Sequence, residues 1–132
     1  MKWLGQVSRS AVPDLFKRCH AFVLPSRHET FGVVYAEEIA SGKPVIATRC
    51  GGPESIVNEE NGILVDVGDV RSLADAMKTM HAHWHRYDPV KIRLDFENRF
   101  SRPAVVSRLR SLYETILAEK RRHVWPCRAH CA

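Results

Sequence analysis

Between Ala21 and Gly52 the chain reads AFVLPSRHETFGVVYAEEIASGKPVIATRCGG, and the order of patterns in that stretch leaves few folds open. An apolar run over residues 21–24 ends at Pro25-Ser26, and a short polar loop follows. A helical pattern begins near Gly32 and continues to Ser41, where Gly42 and then Pro44 stop it. Residues 45–48 form a second apolar run, short and unbroken, as expected of a strand covered on both faces. Strand, loop, helix, strand is the repeating unit of a parallel α/β sheet. In such sheets ligands sit beyond the carboxyl ends of the strands, where helix N-termini offer unpaired N–H groups to anions.

The flanking segments extend the pattern. Residues 2–7 read as a strand ending at Gly5-Gln6-Val7, followed by a helix through about Cys19, with Ser8 or Ser10 as its cap and Pro13 in its first turn. After the glycine-proline turn at 50–53 and a helical turn at 54–57, residues 62–66 read as another strand. Asp69 or Ser72 caps a helix whose Leu73, Ala76, Met77 and Met80 recur at helical spacing. Beyond Asp88-Pro89 come one helical region and a last helix to about Glu119, with Leu109, Leu112, Tyr113, Ile116 and Leu117 on one face. The predicted fold is α/β: a Rossmann-like doubly wound parallel sheet, incomplete at about four strands, with C-terminal helices. One domain is predicted over 1–119, and a basic tail over 120–132 has no periodic pattern and is predicted to be disordered.

Composition narrows the function classes. A chain of 132 residues, 45% apolar and 27% charged, holds one modest core and no run long enough to span a membrane. It opens without a signal-peptide pattern, which predicts a cytoplasmic setting. The net charge of +5 owes much to Lys120-Arg121-Arg122 and Arg128, without the interleaved aromatics that stack on bases, so no nucleic-acid partner is predicted. Arg108 and Arg110, with the 120–122 cluster, leave peripheral contact with a membrane surface open. Cys19, Cys50, Cys127 and Cys131 read as reduced thiols. Neither Cys127 and Cys131 with His123 and His130, nor His81, His83 and His85, has the spacing of a zinc site, so no metal is predicted. No cofactor is predicted either.

The chemistry is concentrated in Glu29 and Glu37. Glu29 falls in the loop after a strand, and Glu37 falls one to two turns into the helix. Carboxylates there can accept hydrogen bonds from sugar or ribose hydroxyls, while the amides near 31–34 face a phosphate. Two carboxylates and an exposed helix end suit a nucleotide sugar. The segment Glu29-Thr-Phe-Gly-Val-Val-Tyr-Ala-Glu37 also resembles the Glu, seven residues, Glu signature of retaining glycosyltransferases of the GT-B fold, the glycosyl transferases group 1. Matching blocks occur in order: Phe22-Val-Leu-Pro-Ser26, Gly42-Lys-Pro-Val-Ile-Ala-Thr48, Gly51-Gly-Pro-Glu-Ser55, Asn61-Gly-Ile-Leu-Val65 and Ser72-Leu-Ala-Asp-Ala76. The likeness runs from about Trp3 to Met80 and, more loosely, from Phe100 to Leu117.

By this resemblance Glu29 binds donor-sugar hydroxyls, together with the amides of Phe31, Gly32 and Val33, and Glu37 binds the ribose. Val7 and Ser26, at predicted strand ends, flank the base. Glu54 either joins the site or caps its own turn. The partner implied is a UDP- or GDP-linked sugar, and the reaction is transfer of that sugar to an acceptor. The sequence also departs from the family. It contains no acceptor-binding domain, and no arginine followed closely by a lysine that clamps the diphosphate; Arg9, Lys17 and Arg18 lie in the wrong segment for that role. The resemblance thus implies the donor-binding portion of a retaining glycosyltransferase, inactive by itself. The alternatives are a non-catalytic interaction module and one piece of a split enzyme completed in trans by an N-terminal domain. In the doubly wound strand order the two central strands are missing, so the strand predicted at residues 2–7 is left without its neighbours.

Overall fold

The computed structural model describes residues 2–122, the last two by their backbone alone. His123, Cys127, Arg128, His130 and Cys131, and with them most of the predicted tail, lie outside the described residues. In chain order the elements are α1 (Val12–Arg18), β1 (Phe22–Leu24), α2 (Val33–Ala40), β2 (Val45–Thr48), a 3₁₀ turn (Gly52–Ser55), β3 (Gly62–Val65) and α3 (Val70–His83). A second 3₁₀ turn (Trp84–Arg86), α4 (Pro89–Phe100) and α5 (Arg102–Arg122) complete the order. The chain forms two compact units, one through Asn98 and one from Arg99 onward. In the second, α5 turns Leu109, Leu112, Tyr113, Ile116 and Leu117 to solvent.

The sheet is parallel, in the order β1-β2-β3, with Val23 opposite Ile46 and Ile46 opposite Ile63. Central β2 is buried along its whole length, which is why Val45–Thr48 carries no charge. The pleat sends alternate residues to opposite faces. Ile46 and Val65, with Val23 and Ile63, pack under Ala76 and Met80 of α3. On the other face α2 lies over β1, with the rings of Phe22 and Tyr35 edge to face at 6.1 Å.

Two sequence predictions are corrected here. Residues 2–7 form no strand, so the sheet has three strands among the described residues rather than about four. Trp3 is 87% exposed, and Leu4 is exposed as well. A lone strand gains no ladder hydrogen bonds, so its amides and carbonyls stay hydrated and its apolar side chains gain no cover. Neither serine caps α1: Ala11 holds that position, and Ser8 and Ser10 hydrogen-bond each other at 3.1 Å. For α3 the cap is Asp69, which accepts from the Ser72 amide at 2.9 Å and the Ser72 hydroxyl at 2.6 Å. These bonds hold its carboxyl below the usual aspartate range. At the other end α5 continues through Arg122, so residues 120–122 are helical.

The inner face of α2 carries Tyr35, Ala36 and Ile39, and also Glu38. Glu38 is fully buried, and neither carboxylate oxygen has a hydrogen-bond partner. Burial raises its pKa to about 7, with Lys43 pulling it down and the charge of Glu37 adding to the rise. The Cys19 thiol is likewise pushed up, by burial and then by Glu38.

Candidate functional site

The site is built where β1 and β2 end. Past Leu24 the chain runs through Pro25 and Ser26 into the loop that reaches Gly32, and this loop is tied to the one after β2. The Glu29 amide donates to the Cys50 carbonyl at 3.4 Å, and the Gly52 amide donates to the Glu29 carbonyl at 2.8 Å. Together they make a parallel bridge between Glu29 and Gly51 that continues the sheet past its strands. Contact is so close that a Cβ on Gly52 would overlap the backbone of Phe31. The exposed Glu54 carboxylate accepts from the Gly51 amide at 3.1 Å, the capping role.

The half-buried Glu29 side chain is held by the Ser26 hydroxyl, which donates to Oε1 at 2.9 Å. Ser26 is fixed in turn by the buried Thr48 at the end of β2, whose hydroxyl donates to the Ser26 carbonyl. Gly32 opens α2 in the left-handed region (φ 85°, ψ 57°), and no side chain caps the helix. The Tyr35 amide donates to the Gly32 carbonyl at 3.0 Å, and no side chain caps the amides of Val33 and Val34, as at anion-binding helix ends. A Cβ on Gly32 would lie 2.6 Å from the Tyr35 ring, so glycine is required by space as well as by φ. Phe31 and Val33 flank this end and are 42% and 61% exposed.

Tyr35 fixes the helix against the sheet: its hydroxyl donates to the Leu24 carbonyl at 2.6 Å, and burial raises its pKa. Tyr35→Phe keeps the ring but strands that carbonyl. We expect a loss of about 1 kcal/mol, read as a lower urea midpoint at unchanged slope; an unchanged midpoint would show that the bond does not anchor α2.

Glu37 faces another way. It is exposed and opens into a cavity of about 430 Å³ between α1 and α2, walled by Val12, Pro13 and Phe16 with Arg9 at its edge. Glu29 does not line this cavity, which Ala40 and Ser41 close toward the C-terminal end of α2, so the two glutamates lie at separate parts of the surface. Ser26 follows β1 by two residues, whereas Val7, half-buried, lies at no strand end, against prediction. A larger cavity, about 510 Å³, lies between the loop at Glu59-Glu60 and the end of α3, toward the amino ends of the strands, and involves none of these residues. Sequence reading passes over Tyr35 and Thr48, and weighs Arg9 only for the diphosphate clamp. The signal for Tyr35 was its place three residues after Gly32, facing inward; nothing in the sequence joined Arg9 to Glu37.

The charges nearby are modest. Arg49 and Asp66 approach at 3.7 Å, both largely exposed, a geometry worth little in water. Among the described residues no three His, Cys, Asp or Glu side chains gather as a metal-ion ligand set. No helix among them is long and apolar enough to cross a membrane. His83 instead holds its ring nitrogen 3.1 Å from the Thr79 carbonyl.

Parallel strands with a loop carboxylate and an uncapped helix N-terminus at their carboxyl ends define part of a Rossmann-type ligand-binding domain. Residues 1–83 match the family described as glycosyl transferases group 1, and the chain belongs to that family. An uncharacterised glycosyltransferase of Methanocaldococcus jannaschii is 32% identical over 115 residues, covering 86% of this chain and 33% of the relative. A sucrose-phosphate synthase from Thermosynechococcus elongatus superposes with a TM-score of 0.72 at 30% identity, over 89% of this chain and 30% of that one. HepE of Anabaena, solved in complex with UDP, superposes with a TM-score of 0.67 at 27% identity, over 83% of this chain and 30% of that one. A further HepE structure contains UDP-glucose. The chain thus spans about a third of the length of each of these relatives.

Proposed function

We propose that this chain is the donor-binding portion of a retaining glycosyltransferase that takes its sugar from a nucleoside diphosphate sugar, UDP- or GDP-linked. The observation that carries this reading is helix α2: an N-terminus without a side-chain cap beside the Glu29 loop, and Glu37 one turn further on at an apolar-walled cavity. Glu37 accepts the ribose hydroxyls, and the walls at Val12 and Phe16 suit the flat base, which extends toward Val7. The amides of Phe31, Gly32 and Val33 meet the diphosphate and sugar, and Glu29 accepts from the sugar hydroxyls. UDP and UDP-glucose in a structural relative support a uridine diphosphate donor.

Transfer needs more than donor binding. As the nucleoside diphosphate leaves, positive charge builds at the anomeric carbon and negative charge on the phosphate, which a cation must stabilise. The family's arginine–lysine clamp has no counterpart in these 132 residues, so the chain by itself is proposed to hold a donor without turning it over. A second reading, one piece of a split enzyme, is favoured by β1: among the described residues it pairs with β2 alone, and its other edge is open to a further strand.

Calorimetric titration with UDP, GDP, ADP and UDP-glucose tests the proposal. Saturable binding of UDP or GDP is expected, weakened on the order of tenfold or more in Glu37→Gln, since a charged acceptor is lost. No binding at millimolar nucleotide by a demonstrably folded chain would refute it.

A further inference from the structure

We propose that Ser26 is a positioning residue for the sugar-binding carboxylate, and that Thr48 extends this support into the sheet; the inference rests on the donor-binding reading above. Sequence alone set Ser26 beside the base. The structure joins its hydroxyl to Glu29 instead, at 2.9 Å, and joins its carbonyl to the hydroxyl of buried Thr48. The result is a chain of hydrogen bonds from β2 through the end of β1 to a loop carboxylate. The backbone of Glu29 is fixed separately, by Cys50 and Gly52. Backbone and side chain therefore have different supports, and Ser26 governs only the second.

That division has a chemical consequence. A glutamate has three side-chain torsions, and a half-buried one without a donor samples several rotamers. With Oε1 occupied by Ser26, the carboxylate is held in one orientation and Oε2 is left to accept a sugar hydroxyl. Sugar recognition then depends on Ser26, and nucleotide recognition does not.

The affinity ratio of UDP-glucose to UDP isolates the sugar's contribution. Ser26→Ala is expected to lower that ratio roughly threefold to tenfold while leaving UDP affinity unchanged, the loss of one hydrogen bond to a charged group that no longer orients its carboxylate. Ser26→Thr, which keeps the hydroxyl, restores the ratio. Side-chain coupling constants of Glu29 in the unliganded protein give a second readout: one rotamer in the parent and in Ser26→Thr, averaging in Ser26→Ala. Equal loss of UDP and UDP-glucose in Ser26→Ala would overturn the inference and make Ser26 a base or fold contact. An unaveraged Glu29 side chain in Ser26→Ala would overturn it as well. Failure of the parent chain to bind UDP at all overturns the donor-binding reading and this inference with it.

Discussion

Glu38→Gln is expected to stabilise the protein at neutral and alkaline pH and to leave it unchanged in acid. Glu38 lies fully buried on the inner face of α2, both carboxylate oxygens without partners, and its pKa stands at about 7 against 4.5 for the free side chain. Below the lower value the side chain is neutral whether the chain is folded or unfolded, and what remains is the cost of burying a neutral polar group, which glutamine shares. Between the two values the folded state keeps a proton that the unfolded state has released, so stability falls as pH rises. Above about 7 both states are ionised and the cost is complete, on the order of 3 kcal/mol by linkage. Glutamine cannot ionise, so the two unfolding free energies should coincide near pH 4 and separate by about 2–3 kcal/mol at pH 8. Urea denaturation across that range checks it. Parallel profiles for parent and variant would mean that Glu38 is not buried as a lone acid. Lys43, the cation that opposes the rise, reduces the cost without removing it.

The second large effect falls on the site. Gly52→Ala is expected to abolish donor binding and to cost roughly 2–4 kcal/mol, because an added Cβ overlaps the Cα, carbonyl carbon and oxygen of Phe31. The overlap is with backbone, which cannot rotate away as a flexible side chain could. Relief requires the loops after β1 and β2 to part, breaking the 2.8 Å bond from the Gly52 amide to the Glu29 carbonyl and moving the first amides of α2. Unfolding curves and UDP titration on the same variant separate stability from binding. Parent-like affinity in Gly52→Ala would show that this contact is not what holds the donor loop. Tyr35→Phe, by contrast, removes one hydrogen bond and leaves the loop contact intact, so its effect on binding should be smaller.

Local pattern accounts for most of the elements. Unbroken apolar runs marked β1, β2 and β3; Gly32 and Gly42 bracketed α2; and Asp69 marked the start of α3 through its hydrogen bonds to Ser72. The misreading at residues 2–7 has a definite cause. Apolar residues such as Trp3, Leu4 and Val7 state a propensity, but a strand exists only where a neighbour supplies the other half of the ladder, and none does here among the described residues. Site residues divide the same way. Glu29, Glu37 and Gly32 stand out through the ordered blocks of the family resemblance. Ser26 reads there only as a base contact and Arg9 only as a cation in the wrong segment, while Thr48 and Tyr35 do not stand out, since a hydroxyl has no periodicity.

What the sequence determined by itself is the order of most elements and, through its resemblance, the family, because these follow from patterns within a few residues of each position. What only the tertiary structure decided is which residues touch. Ser26 reaches Glu29 across three residues, but Thr48 reaches Ser26 across twenty-two and Tyr35 reaches Leu24 across eleven. Glu38 lies beside Glu37 in sequence, and only when α2 is laid on the sheet does it become a buried acid, with burial raising its pKa. Contacts between distant segments, and the loss of water around them, arise only when the chain closes on itself, and it is desolvation rather than residue type that gives a carboxylate its cost.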